Sequence, residues 1–265
     1  GIWGGPQRRQ AANKFFLFFH TRPRGETRDV YDAHSDLGVY RLDSNTIVFP
    51  PPIAASDRNE TWPAWAPDGR FLYFCSAAPQ PRERFSAIRY DLMRASFDVR
   101  TGEWGQPETV ISAAETGSSV CQPRVSPDGR WLLVTLATYG SFPIHDSASD
   151  LHVMDLGTRT LRRLAINSDE ADTWHSWSGN SRWVVFSTKR WDGLFARPHF
   201  SYVSDRGEFH KPFVLPQDDP GFYGFCLDTL NVPEFMHGPV CIEERDLARA
   251  ILKPRRVLTP QEPSG

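Results

Sequence analysis

The sequence predicts an all-β fold, a β-propeller of four-stranded antiparallel blades, and three observations carry that expectation. One segment recurs without gaps across a turn: TWPAWAPDGRFLYFCS from Thr61, VCQPRVSPDGRWLLVTLA from Val120 and TWHSWSGNSRWVVFSTKR from Thr173. Asp68, Asp128 and Asn180 share one column, Arg70, Arg130 and Arg182 a second, and Phe71, Trp131 and Trp183 a third. Each copy is followed by a second strand-turn-strand pattern, so every unit holds four strands, the content of a propeller blade. Composition agrees, because 22 Pro and 19 Gly among 9 Trp, 18 Phe and 7 Tyr suit short strands joined by tight turns.

The elements follow in chain order. A degenerate first copy, Asn13-Lys14-Phe15-Phe16-Leu17-Phe18, lines up with Gly69-Arg70-Phe71-Leu72-Tyr73-Phe74 and predicts the second strand of a first blade. Val39 to Leu42, turning at Asp43-Ser44-Asn45, supplies the hairpin that completes that unit. In the full copies Pro presets φ, Asp or Asn bonds its own backbone and Gly accepts a positive φ, while the flanks are aromatic and β-branched. Segments 70–75, 130–136 and 182–187 are therefore expected to be second strands. Outer hairpins are expected at Ala95 to Phe97 with a turn at Asp98 to Gly102, at Leu151 to Met154 with Leu161 to Leu164, and at Phe200 to Val203 with Phe213 to Leu215. The approximate units are 1–56, 57–114, 115–168 and 169–217. Residues 218–265 carry no further copy and read as a tail with a short helix over 243–252. Acidic residues open that helix, Leu247 and Ile251 form one stripe and Pro254 bars its continuation. It is expected to dock, and the closing LTPQEPSG is expected to stay unfolded.

Ala66-Pro67-Asp68-Gly69-Arg70 and Ser126-Pro127-Asp128-Gly129-Arg130, each followed by an aromatic and an apolar strand, resemble the repeats of TolB-like β-propeller proteins, a WD-like propeller family of Gram-negative bacteria. Ser178-Gly179-Asn180-Ser181-Arg182 departs from the Pro-Asp-Gly core and keeps the frame. Further similarity lies in Trp174-His175-Ser176-Trp177-Ser178, Asp192-Gly193-Leu194, Lys211 to Gln217 and Asn231-Val232-Pro233-Glu234-Phe235, so the resemblance covers roughly residues 61 to 252. It implies a periplasmic or secreted propeller without chemistry of its own, binding proteins of the cell envelope. Propellers of that family have six blades and this chain holds about four units. The expectation is a fragment of a six-bladed ring that lacks N-terminal blades, the alternative a smaller closed ring.

Charge and motifs narrow the function further. With 30 Lys+Arg against 32 Asp+Glu the net charge is -2, which offers no field for a nucleic acid backbone. The longest apolar run, Phe15 to Phe19, is far below the roughly 20 residues of a membrane span. No G-x-S-x-G elbow occurs, and the residues after Gln217 are too few for a hydrolase domain. Neither a Gly-rich phosphate loop nor H-E-x-x-H or paired-Cys spacing is present, so no cofactor, metal ligand or catalytic residue is assigned. The chain is expected not to be an enzyme; the alternative is the gating or substrate-binding propeller of a hydrolase or peptidase whose catalytic residues lie elsewhere. Cys75 and Cys121 are not expected to pair, whereas Cys226 and Cys241 form a pair that an oxidising compartment would allow.

Blade geometry selects the binding face. The Asp-Gly turns are short and uniform, so variety resides at the opposite end, at the entrances of the innermost strands and in the loops between second and third strands. Candidate partner-binding residues there are Glu60, Trp62, His145, Asp146, Trp174, His175, Arg190, Trp191 and Asp192. Mixed charge with aromatics is the composition of protein-binding hot spots.

Overall fold

The structure is a computed structural model that describes residues 2–5, 18–22, 25–29, 34–41, 44, 46–236, 238 and 241–252, with side chains described from residue 34 onward, Ala250 apart. Three four-stranded antiparallel sheets succeed one another along the chain. The first is β6 (Asn59–Trp65), β7 (Phe71–Ala77), β8 (Asp91–Ser96) and β9 (Glu108–Ile111). The second is β10 (Ser119–Val125), β11 (Trp131–Ala137), β12 (Asp150–Asp155) and β13 (Thr160–Arg163). The third is β14 (Asp172–Trp177), β15 (Trp183–Thr188), β16 (Arg197–Tyr202) and β17 (Phe213–Val214). Each pairs its strands strictly in sequence order, and β10 lies beside both β6 and β14. Blades that repeat this way around an axis make the chain a β-propeller.

The repeat column explains the turns. Asp68, Asp128 and Asn180 each accept, through Oδ1, the backbone N–H of Arg70, Arg130 or Arg182 at 3.0, 3.1 and 3.0 Å. Gly69, Gly129 and Ser181 adopt left-handed φ of 70°, 73° and 59° in the next column. Loss of Pro-Asp-Gly in the third copy therefore leaves the turn intact, because Asn serves as acceptor and Ser bears the left-handed strain.

Faces alternate along each second strand and bury both sides. Leu72 and Phe74 pack with Leu37 and Ile53 of the preceding unit, while Tyr73 and Cys75 meet Val120, Leu132 and Val134 of the next sheet. Trp131 and Leu133 meet Trp177, Val184 and Phe186 in the same manner. Gly207, at φ 74°, closes over the Trp131 ring so tightly that any Cβ would collide with it.

The first unit departs from the expected blade. Among the described residues its sheet has three strands in the order β1 (Ile2–Gly5), β4 (Asp36–Arg41) and β5 (Thr46–Val48), and β2 (Phe18–Arg22) pairs with β3 (Gly25–Asp29). Ile2 lies opposite Val39, so β1 occupies the slot expected for the strand at residues 15–18. Ile2-Trp3 and the run ending at Phe18 are both short and apolar in sequence, and spacing alone does not decide which of them pairs with β4. Residues 13–17, the turn positions Asp43 and Asn45, Pro254 and the closing LTPQEPSG lie outside the described residues.

Among the described residues the tail holds two helices, α2 (Phe222–Phe225) and α3 (Glu244–Leu252), after a single turn, α1 (Ala113–Thr116), between β9 and β10. Residues 218–236 do not trail away from the third sheet. Arg197 donates to the Tyr223 carbonyl at 3.0 Å, Leu230 N–H donates to the Ala196 carbonyl, and Ser176 Oγ and Ser187 Oγ donate to the carbonyls of Pro233 and Leu230. None of the four cysteines forms a disulfide, so the Cys226–Cys241 pairing is not made. Cys226 Sγ instead lies against the Asp228 carbonyl. No helix among the described residues is long and apolar enough to cross a membrane.

Candidate recognition face

Every complete innermost strand carries a bulge at one place. The register shifts between Thr61 and Ala64, between Cys121 and Arg124, and between Thr173 and Ser176. Within each shift one non-glycine residue is left-handed: Trp62 at φ 52°, Gln122 at 56° and Trp174 at 51°. A bulge re-aims a side chain that would otherwise alternate with the sheet, and a left-handed Trp or Gln is held only where its surroundings fix it. Here the side chain reaches across to another blade. Trp62 Nε1 donates to the Ser141 carbonyl in the β11–β12 loop at 3.0 Å, and its ring meets Phe142 and Trp174 edge to face at 6.2 and 5.0 Å. Gln122 Oε1 accepts from Thr173 Oγ1 at 2.6 Å and from Trp174 N–H at 3.0 Å. Gln122 and Phe142 carry no motif of their own in the sequence; the gapless alignment places Gln122 in the column of Trp62 and Trp174, which is the signal that marks it.

The loops at this end are knitted together. Ile144, Ala171 and Ala196 form a small buried cluster with Trp174 against it, which joins the β11–β12 loop, the entrance to β14 and the β15–β16 loop. Entrances and second loops therefore share one end of the sheets. Trp191, 53 % exposed, stands at that end with its ring against Tyr223 and the Arg197 guanidinium 4.9 Å from its centroid. His145 is exposed as well.

Other candidates have internal partners. Asp146 accepts the N–H groups of Thr138 and Ala148. Arg190 donates to Ile166 O and to Asp172 Oδ1, both at 2.9 Å. Asp192 accepts from Leu194 N–H, Phe195 N–H and Arg197. Burial raises the Asp192 carboxyl, and those N–H groups with Arg197 outweigh it and hold the group below its ordinary range.

Glu60 and His175 lie beneath the face. Glu60 is 2 % exposed, and burial followed by the nearby Asp36 carboxylate pushes its carboxyl up to about 8. His175 is 3 % exposed; burial, then Arg124, lowers it to about 3. Its Nε2 lies 3.1 Å from the Leu133 carbonyl, so the neutral ring donates into the neighbouring sheet. Neither residue can touch a partner directly, because an entrance position in sequence becomes an inter-blade position once the sheets pack. Among the described residues no three His, Cys, Asp or Glu side chains are grouped to hold a metal.

The chain matches no family model, and no curated protein matches it in sequence. Similar solved structures are larger proteins, of which this chain spans less than half the length. The Dos1 propeller is 18 % identical, with 73 % of this chain and 45 % of that one covered and a TM-score of 0.44. An oligogalacturonate lyase in complex with manganese is 16 % identical, with coverages of 64 % and 42 % and a TM-score of 0.40. An auxiliary nutrient binding protein from Bacteroides thetaiotaomicron is 7 % identical, with coverages of 75 % and 41 % and a TM-score of 0.43.

Proposed function

We propose that this propeller is a non-catalytic, TolB-like protein-binding module of the cell envelope, acting in the periplasm or outside the cell. The observation that supports it is the pairing of a fixed aromatic floor with an exposed aromatic on one end of the sheets. Trp62, Trp174 and Phe142 lock the loops, and Trp191 projects from the same end. Recognition needs side chains presented on loops that do not collapse, and large aromatics at such places dominate binding energy. The Ala66-Pro67-Asp68-Gly69-Arg70 and Ser126-Pro127-Asp128-Gly129-Arg130 turns support the TolB-like reading, and with it the envelope.

The test is capture from a Gram-negative envelope extract by the immobilised chain, repeated with Trp191→Ala and with Arg70→Ala at a turn on the opposite end. The expected result is loss of captured proteins with Trp191→Ala and retention with Arg70→Ala. Retention of every captured protein by Trp191→Ala, with loss in Arg70→Ala, would place recognition on the other end.

A further inference from the structure

The final sheet exposes a face that its predecessors cover. Phe71 and Trp131 lie on the sides of their sheets that meet the next one, and Trp131 is 7 % exposed beneath the turn at Gly207. Trp183 stands in the same column of the last sheet, opposite Tyr202, with Phe200 opposite Val185 on the same side. Among the described residues the tail covers the inner strands of this face, through Leu230 and Pro233 on Ser187 and Ser176, and reaches the third strand where Phe235 meets Phe200. The outer half stays open, with Tyr202 38 % and Phe213 46 % exposed.

We propose that helix α3 of the same chain docks on that outer half and completes the cover that the tail begins. Continuity is the first argument. Phe235 at the end of the docked segment meets Phe200, and ring contacts continue to Phe213 and on to Trp183 in steps of 5.8, 5.7 and 6.1 Å. Eight residues separate Phe235 from Glu244, and an extended chain of that length spans up to roughly 26 Å, so α3 reaches the patch without disturbing the segment already docked.

The helix supplies matching chemistry. Leu247 and Ile251, 54 % and 69 % exposed, stack four positions apart, and the Asp246–Arg249 ion pair lies on another side of the helix. A nine-residue helix is too short to persist in water by its own hydrogen bonds, so its formation requires an apolar surface to cover. Glu244 begins the Leu247 stripe, and the exposed Lys211 stands two positions before Phe213 in the chain, which offers an opposite charge for that end of the helix.

The test incorporates the photo-crosslinker p-benzoylphenylalanine at position 213 of the full chain, with 14N- and 15N-labelled copies mixed. Crosslinks from position 213 into residues 244–252 within one isotopic species are the expected result. Absence of crosslinks to the helix, or crosslinks between isotopic species, overturns the proposal, the second outcome assigning the patch to another copy. Independently, Leu247→Asp with Ile251→Asp is expected to speed hydrogen exchange of amides in 197–215 by at least about tenfold while leaving 119–163 unchanged. Unchanged exchange in 197–215 also overturns it.

Discussion

Trp62 and Trp174 meet edge to face with ring centroids 5.0 Å apart although they belong to blades separated by a third. Both are left-handed members of one column, so the contact follows from the repeat itself. An aromatic pair of this geometry contributes about 0.5–1.5 kcal/mol beyond the area it buries. A double-mutant cycle of Trp62→Leu and Trp174→Leu is expected to give a coupling energy in that range by urea denaturation. Strict additivity of the two substitutions would show that the rings touch without stabilising the fold.

The left-handed turn positions make opposite predictions according to the residue present. Gly129 has φ 73° and open space around its missing Cβ, so Gly129→Val suffers only from conformation and is expected to destabilise by about 1–2 kcal/mol. Exposed Arg159 already carries that strain at φ 60°. Arg159→Gly is expected to raise the melting midpoint slightly, the relief of about 1 kcal/mol being partly offset by a more flexible unfolded chain. A fall in the midpoint would mean that the Arg159 side chain stabilises the fold by more than its backbone costs.

Much of this fold is written locally and some of it is not. The Asp68, Asp128 and Asn180 turns, the second strands after them and the helix before Pro254 follow from short-range chemistry, and the structure has the turns and strands in register. The first unit was illegible because Ile2-Trp3 and the run ending at Phe18 suit the same strand slot. Gln122 was missed because a left-handed non-glycine leaves no mark in a single copy, and only its column reveals it. Glu60 and His175 read as entrance residues since burial between blades depends on how sheets stack, which spacing does not encode. The grip of the tail on the third sheet rests on Arg197 and Tyr223, whose contact joins segments that no periodicity relates.

That grip is itself testable. Tyr223 is 4 % exposed, donates from its hydroxyl to the Leu215 carbonyl at 2.9 Å, accepts from Gln217 Nε2, and presents its carbonyl to Arg197. Tyr223→Phe keeps the ring and strands the Leu215 carbonyl, for an expected loss of about 1 kcal/mol. Tyr223→Ala also removes the ring from Trp191 and Arg197, and a loss of about 3–5 kcal/mol is expected, with faster proteolysis within 218–236. Equal stability of the two variants would assign the grip to the backbone contacts alone.

Glu60, His175 and His199 together predict a maximum in stability near neutral pH. The folded Glu60 carboxyl keeps its proton up to about 8 while the unfolded group releases it near 4.5, so folding takes up a proton in that window. Its contribution is complete below pH 4.5 and is lost as pH rises toward 8, at up to about 1.4 kcal/mol per pH unit. The histidines act with the opposite sign. Burial, ahead of Arg124 for His175 and offset in part by the Arg197 carbonyl for His199, lowers them to about 3 and about 4, so below 6.5 the unfolded chain binds protons that the folded one refuses. Their contribution is complete above 6.5 and disappears as pH falls. Two histidines outweigh one carboxyl between 4.5 and 6.5, and above 6.5 the carboxyl acts alone, so the urea midpoint is expected to peak near pH 6.5. Glu60→Gln is expected to replace the decline above that pH with a plateau, and His175→Gln to shallow the acidic limb while preserving the alkaline one. A Glu60→Gln profile that declines as steeply as the wild type between pH 6.5 and 8 would assign that decline to groups other than Glu60.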